Sequence, residues 1–397
     1  MPKVAFLTSG GIAPCLSASI GGLIEKYNEL DPNIEMIGYM HGYRGLLLGK
    51  SVEFSNEVKK NYHVLYDFGG SPIGNSRVKL TNVKDCVKKG FVKEGENPLN
   101  VAAKQLEKDK IDILHTIGGD DTNTMAAALA KHLENSGKSL TVVGLPKTVD
   151  NDVIPVKQTL GAWTAAEQGA RFFQNIVNEN TTSRRQLIIH EVMGRHCGWL
   201  TAGTALEYRK LLDKKEYLPE LFVSSKRWDV HAVYIPEKNI DFKSESTRLR
   251  KIMDENDCVN IFLSEGAGMD TIVNEIESRG ESVPRDAFGH VRLDDINPGQ
   301  WFAKQFSEAL GADKTLIQKS GYFARSAKPG SRDLELIKKS AFMAAELAIN
   351  GQSGLVGLDE NNSGELGLID LQSVEGGKEF DTSQPWFVDL LKDIGQE

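Results

Sequence analysis

Only four of the 397 residues are cysteine (Cys15, Cys86, Cys197 and Cys258), and none stands in a CxxC pair or at Cys/His metal-ligand spacing. That excludes a zinc knuckle and a disulfide scaffold, and it predicts buried free thiols in a reducing cytoplasm. No apolar run approaches the roughly 20 residues that span a bilayer. The opening MPKVAFLTSGG predicts no secretory leader, because its apolar core is too short and runs straight into a glycine loop. Positive charge is in deficit: 47 basic against 55 acidic residues leave a net charge of −8. This argues against a nucleic-acid scaffold and leaves room for a local basic pocket. There is no internal repeat, low-complexity tract or Gly/Ser linker, so any two domains share a continuous connection. What remains is an ordinary globular composition, 40% hydrophobic and 26% charged, long enough for two or three domains.

Apolar runs of strand length alternate with stretches of helical spacing. KVAFL (3–7), IEMIGY (34–39), IDILHTI (111–117), LTVVGL (140–145), QLIIHEV (186–192) and VNIFLSEG (259–266, with its loop) read as strands. Helices are predicted over 17–30, 97–110, 123–135, 162–177, 249–256, 297–311 and 331–350. Two of them open with Asn-Pro, a sound helix start. Strands separated by helix-length segments predict an α/β fold with parallel sheets, whose ligand loops lie at the carboxyl ends of the strands. Residues 40–100 and 205–250 are polar and read as insertions or peripheral elements.

The loops after these strands concentrate the chemistry. SGG (9–11) lets the backbone approach a phosphate at a helix N-terminus, although such glycines also serve tight packing. GGSPIGNSR (69–77) ends in Arg77, which could grip a phosphate or simply face solvent. GGDDT (118–122) places Asp120 and Asp121 where a phosphate loop would be expected to avoid negative charge. One carboxylate there reads as a ligand for Mg²⁺, a hard cation that wants oxygen. The plainer reading is a helix cap, a role that Thr122 also fits. PKTVDND (146–152) gathers Lys147, Thr148, Asp150 and Asp152. In an extended loop the two carboxylates point the same way, so that repulsion raises the pKa of one and makes it a general base. Turn chemistry alone also explains an Asn-Asp pair. MGRHCGW (193–199) offers Arg195, SEG (264–266) offers Glu265, and GYFAR (321–325) pairs Tyr322 with Arg325, a combination suited to a sugar phosphate.

Taken together, in this order over about residues 3–330, these segments resemble the phosphofructokinase family. ATP-using members carry glycine at the places of Asp121 and Lys147; charge at both resembles the pyrophosphate-dependent branch. The resemblance implies two Rossmann-like parallel-sheet domains with the active site in the cleft between them. The first, residues 1–160 plus about 292–345, binds pyrophosphate and Mg²⁺. The second, 161–291 plus the C-terminal segment, binds the sugar phosphate. It further implies that Gly11, Arg77 and Lys147 hold pyrophosphate, Asp120 holds Mg²⁺, and Asp121 excludes ATP by bulk and charge. Asp150 is the implied base toward the 1-hydroxyl of fructose 6-phosphate, tuned by Asp152 and flanked by Thr148 and Val149. Met193, Gly194, Arg195 and Glu265 contact the sugar, and Tyr322, Phe323, Ala324 and Arg325 surround its 6-phosphate. A reversible cytoplasmic enzyme of glycolysis, a non-allosteric homodimer, is the corresponding expectation.

Departures from the family pattern are Ile12 after SGG, and Gln186 where ATP enzymes have an arginine that reaches across subunits. Arg184 and Arg185 stand beside it as substitutes. GHVR (289–292) suggests a further substrate loop through His290 and Arg292. Rival readings are an ATP-dependent kinase of the same fold, a non-catalytic regulatory subunit and a plain sugar-phosphate-binding protein. Intact Asp120, Lys147, Asp150 and Arg195 argue against the regulatory subunit, and a plain binding protein would bind ligand yet show no Mg²⁺-dependent turnover.

Overall fold

The computed structural model describes residues 2–284 and 296–396; GHVR, with His290 and Arg292, lies outside them. Two compact units divide the chain: residues 1–164 with 325–378, and residues 165–324 with 379–397. The return to the first unit falls at Arg325 rather than near 292. The helix Pro298–Leu310 and strand β10 (Lys314–Lys319) belong to the second sheet, which accounts for the later boundary.

The first unit is built on a seven-stranded sheet in the order β12-β11-β5-β4-β1-β2-β3. Here β1 is Lys3–Thr8, β2 Glu35–Tyr39, β3 Ser51–Glu53, β4 Ile113–Gly118, β5 Thr141–Pro146, β11 Gly354–Asp359 and β12 Glu365–Ile369. The five strands from β11 to β2 pair in parallel, and the short edge strands β3 and β12 run antiparallel. β1 and β4 are buried along almost their whole length, which is why their sequences read as continuous apolar runs rather than alternations. The chain leaves β1 toward β2 on one side and returns to β4 on the other. That reversal opens a crevice at the carboxyl ends of β1 and β4, where sheets of this kind bind ligands. Register pairs Thr8 with Ile117, so the loops that follow, SGG and GGDDT, are neighbours. A separate ribbon pairs β6 (Val153–Ile154) antiparallel with β13 (Glu375–Gly376).

The second unit carries a four-stranded parallel sheet, β10-β7-β9-β8, with β7 at Gln186–Val192, β8 at Ala232–Tyr234 and β9 at Cys258–Ser264. Its two faces feed two cores. Ile188, Phe262 and Val233 pack beneath the helix Trp199–Leu212 and the C-terminal helix Pro385–Asp393. Leu187, Ile189, Ile261 and Leu263 pack on the other side with Phe302 and Phe306 of the helix Pro298–Leu310. Residues 205–250, expected to be peripheral, therefore supply a core helix and a sheet strand. They hid because β8 has three residues and the helix Phe242–Asn256 is mostly polar.

One buried carboxylate fastens the entry to the helix Ala162–Ile176. Asp333, fully buried, accepts hydrogen bonds from Gly161 N (3.1 Å), Thr164 N (2.6 Å) and Thr164 Oγ1 (2.6 Å). Thr164 Oγ1 in turn accepts from Gly330 N at 2.9 Å. Asp333→Ala strands these donors, and we expect a loss of about 3 kcal/mol in unfolding free energy, measured by urea titration.

Candidate active site

The first unit assembles a basic pocket from loops remote in sequence. The 69–77 loop folds onto SGG: Ser76 O accepts from Gly10 N (2.9 Å) and Ser9 Oγ (3.0 Å), and Asn75 Nδ2 donates to Gly10 O at 2.5 Å. This places the Arg77 guanidinium against Gly11, 3.5 Å from where a Cβ would stand. Lys147 follows β5 directly. Its side chain is 4% exposed, and Nζ donates to Gly11 O at 2.5 Å. Burial first, then the Arg77 charge, push its pKa down to about 8, while Cys15, Asp150 and Asp152 act in the opposite sense. Two cations crowded against a glycine loop fit a multiply charged anion.

The acidic turn is arranged differently from its sequence reading. The helix after β4 spans Asp120–Glu134, so it begins at the first aspartate, not at residue 123. Gly119 is the N-cap and there is no side-chain cap. Neither the aspartates nor Thr122 therefore caps the helix; Asp120 and Asp121 stand in its first turn, where the helix dipole favours negative charge. Buried Asn123 locks the turn, donating to Gly118 O (3.0 Å) and Gly119 O (2.9 Å). Asp121 faces outward and pairs with Lys79 at 2.5 Å.

The PKTVDND loop is not extended. Asn151 sits at φ 58°, and its Oδ1 accepts from Thr159 N (2.8 Å) and Thr159 Oγ1 (3.2 Å). Thr148 Oγ1 accepts from Asp150 N at 3.1 Å, and Thr148 O accepts from Thr159 Oγ1 at 2.8 Å. The expected pairing of Asp150 with Asp152 across a straight segment gives way to a left-handed turn between them. The carboxylate that presses on Asp152 is Asp120: burial first, then Asp120, raise the Asp152 pKa.

In the second unit three loops meet at the carboxyl ends of β7, β9 and β10. Glu265 N donates to Val192 O at 2.9 Å. A side chain on Gly266 would collide with the Arg195 carbonyl, so the SEG turn lies directly on the Met193–Arg195 turn. The Met193 thioether lies against Gly321, the first residue of the short helix Gly321–Arg325. Tyr322 and Phe323 are 79% and 52% exposed, and Ala324 is buried. The structure thus brings together Gly11, Arg77, Asp120, Lys147, Thr148, Val149, Asp150 and Asp152 in the first unit. It groups Met193, Gly194, Arg195, Glu265, Tyr322, Phe323 and Ala324 in the second.

This arrangement matches a known family over most of the chain. A model of the family described as Phosphofructokinase matches residues 3–348. The chain belongs to the phosphofructokinase family. It is 60% identical over 394 residues to the pyrophosphate–fructose 6-phosphate 1-phosphotransferase of Methylomonas methanica, covering 99% of this chain and 96% of that one. It is 59% identical over 394 residues to the protein of the same name from Methylotuvimicrobium alcaliphilum, with the same coverage. Among solved structures, the pyrophosphate-dependent phosphofructokinase of Marinobacter aquaeolei superposes with a TM-score of 0.73 at 19% identity, covering 99% of this chain and 91% of that one. That last likeness establishes the phosphofructokinase fold.

Beside the place of the absent arginine, the Arg185 guanidinium bonds within its own unit, to Asp254 (2.8 Å), Gly311 O (2.6 Å) and Leu310 O (2.6 Å). Arg184 is exposed and pairs with Asp257 at 3.3 Å. Two residues escaped the sequence reading. Glu191, buried, accepts from Gly299 N (3.1 Å) and pairs with Lys319 (2.7 Å), tying the end of β7 to β10. Lys79 had a legible signal: Val78 and Leu80 are buried while Arg77 and Lys79 alternate with them, the period of an extended segment lying on a core.

Phosphofructokinase chemistry implies Mg²⁺, and the residues fit it. Asp120 presents hard carboxylate oxygens whose charge already weighs on Asp152; a divalent cation relieves that repulsion. Among the described residues no group of three or more His, Cys, Asp or Glu gathers.

In the phosphate-holding role that the resemblance implies, Lys147 is expected to set a pH dependence. A phosphate-binding lysine must be protonated, and with its pKa lowered to about 8 the charged form is lost as pH rises through that value. We expect kcat/KM for the phosphate donor to fall about tenfold per pH unit above pH 8, with Lys147→Arg removing this limb from initial-rate profiles.

Proposed function

We propose that the protein transfers a phosphoryl group reversibly from pyrophosphate to the 1-hydroxyl of fructose 6-phosphate, giving fructose 1,6-bisphosphate and phosphate. The observation that carries this reading is the presence of buried Lys147 on the glycine loop together with Asp121 in the first turn of the helix after β4. A cation gripping the donor and a carboxylate where a nucleotide would continue suit a donor that ends after two phosphates. The names of the relatives at 59% and 60% identity support the same reaction.

The roles follow from the chemistry. Gly11, Arg77 and Lys147 hold the pyrophosphate, and Asp120 holds Mg²⁺, which supplies charge neutralisation of the phosphates when bound. Asp150 takes the proton of the sugar 1-hydroxyl, and that oxygen forms a bond to the terminal phosphorus. The bridging P–O bond breaks, and phosphate leaves with its electron pair. Asp152 orients Asp150, and Thr148 and Val149 line the acceptor. Met193 and Gly194 shape the sugar site, Arg195 stabilises the transferring phosphoryl group, and Glu265 bonds sugar hydroxyls. Tyr322, Phe323, Ala324 and Arg325 surround the 6-phosphate. The first unit is thus the pyrophosphate and Mg²⁺ domain and the second the sugar-phosphate domain. The working form is a cytoplasmic homodimer without effector control, active in both directions of glycolysis. Four free, buried cysteines are compatible with a reducing compartment, and no described helix is long and apolar enough to cross a membrane.

Phosphorus NMR of fructose 1,6-bisphosphate mixed with phosphate, Mg²⁺ and the enzyme tests the reverse reaction. A growing pyrophosphate signal is expected; bisphosphate that stays intact, or that yields only phosphate, contradicts the proposal.

A further inference from the structure

The family match ends at residue 348, yet the chain returns to the acidic turn at Glu375–Gly376. In the β6–β13 ribbon Gly376 pairs with Val153, the residue after Asp152, and Glu375 pairs with Ile154. Lys378 closes the ribbon. Its N–H donates to Asp152 O at 3.0 Å, and its ammonium bonds Val156 O and pairs with Glu360 at 3.1 Å. The ribbon therefore holds the end of the PKTVDND loop by its backbone. Its other contact is with Asp120. The three nearest heavy atoms to a Cβ built on Gly376 all belong to the Asp120 carboxyl: Oδ2, well inside van der Waals distance, Cγ at 2.6 Å and Oδ1 at 3.3 Å.

We infer that Gly376 is a positioning residue for Asp120: the β13 backbone is the wall that fixes the orientation of this carboxylate. Gly376 is not among the residues of positive φ, so backbone conformation does not demand glycine there. Close approach to Asp120 does. A short side chain such as aspartate cannot yield without turning its oxygens away from their present direction. Because Lys378 anchors the same ribbon to Asp152 O, the wall and the sugar-site loop move together, and the two acidic segments keep one spacing. The inference rests on the proposed role of Asp120 toward Mg²⁺, while the contact itself is independent of that role.

The test substitutes Gly376→Ala in the full chain, with Gly367→Ala as control, since nothing lies within 4 Å of a Cβ at Gly367. Mn²⁺ binding in the presence of pyrophosphate is read from the free-ion electron paramagnetic resonance signal. We expect about 10- to 100-fold weaker Mn²⁺ binding in Gly376→Ala, the range for disturbing a support of a metal ligand. The KM for fructose 6-phosphate should change by less than about twofold, and the control should match the wild type. Thermal unfolding completes a cycle with Asp120→Ala: the alanine at 376 should cost less stability when Asp120 is absent. If Gly376→Ala does not fold, the Gly376→Ala/Asp120→Ala double variant must fold. Unchanged Mn²⁺ binding, an equal stability loss in both backgrounds, or an unfolded double variant overturns the inference. Failure of the wild type to bind Mn²⁺ with pyrophosphate would instead strike the functional reading, and the stability cycle would then decide the contact alone.

Discussion

Asp150→Ala is expected to lower kcat by about 10²- to 10⁴-fold, the usual contribution of a general base, while fructose 6-phosphate still binds. The two effects separate because the turn that carries Asp150 is held by other groups. Its bonds run from Asn151 Oδ1 to Thr159 and from Thr148 O to Thr159 Oγ1, so truncating the carboxylate leaves the backbone in place. Initial rates give kcat, and isothermal titration with fructose 6-phosphate gives affinity. A parallel loss of rate and binding would make Asp150 a binding or structural residue and move the base role to Asp152. Burial and Asp120 already raise the pKa of Asp152.

The second large effect is an exchange of donor. In Asp121→Gly/Lys147→Gly, turnover with pyrophosphate should fall by about 10²- to 10³-fold, as for removal of one preorganised charge on a transferring group, and turnover with ATP should appear. Lys147 is the deeper of the two: it is buried, bonded to the Gly11 carbonyl and beside Arg77, so its loss removes the cation proposed to grip the donor. Asp121 acts by a different balance than its sequence suggests. Repulsion of several kcal/mol at about 4 Å requires a dry surrounding. The Asp121 side chain is 56% exposed and paired with Lys79 at 2.5 Å, so its charge alone is worth nearer 1 kcal/mol. The bulk of the Asp121 side chain itself, which remains when Lys79 is removed, must supply the rest. Lys79→Ala introduced into the wild type should consequently leave ATP unused. Steady-state kinetics with both donors decide the matter; a double variant with no ATP turnover contradicts the exclusion argument.

How far the sequence was legible depended on where burial lies. β7 begins and ends where its apolar run does, because a central parallel strand is covered on both faces. β10, KTLIQK, was missed because it is an edge strand with only partial cover and lysine at both ends. The helix Phe242–Asn256 was recognised only in its last two turns. Its start carries the visible cap Asp241, which accepts from Lys243 N and Ser244 N, both at 3.1 Å, but little apolar periodicity.

In the site, glycine, lysine and aspartate at strand ends announce themselves in the sequence. Three features do not. The turn at Asn151 was read as extended, because asparagine tolerates φ above zero without any neighbour revealing it. Asp333 carries no signal in the sequence, although it is buried and accepts from Gly161 N and Thr164 N, 172 and 169 residues away in the chain. Gly376 lies in a segment without a motif, and its meaning is a contact with Asp120 that no local pattern encodes.

The central claim is tested most directly by a side-by-side donor assay: purified enzyme, Mg²⁺ and fructose 6-phosphate with either pyrophosphate or ATP, following fructose 1,6-bisphosphate. Turnover with pyrophosphate and none with ATP is the predicted result. Turnover with ATP alone would keep the family and overturn the roles given to Asp121 and Lys147; silence with both donors would contradict the proposed reaction.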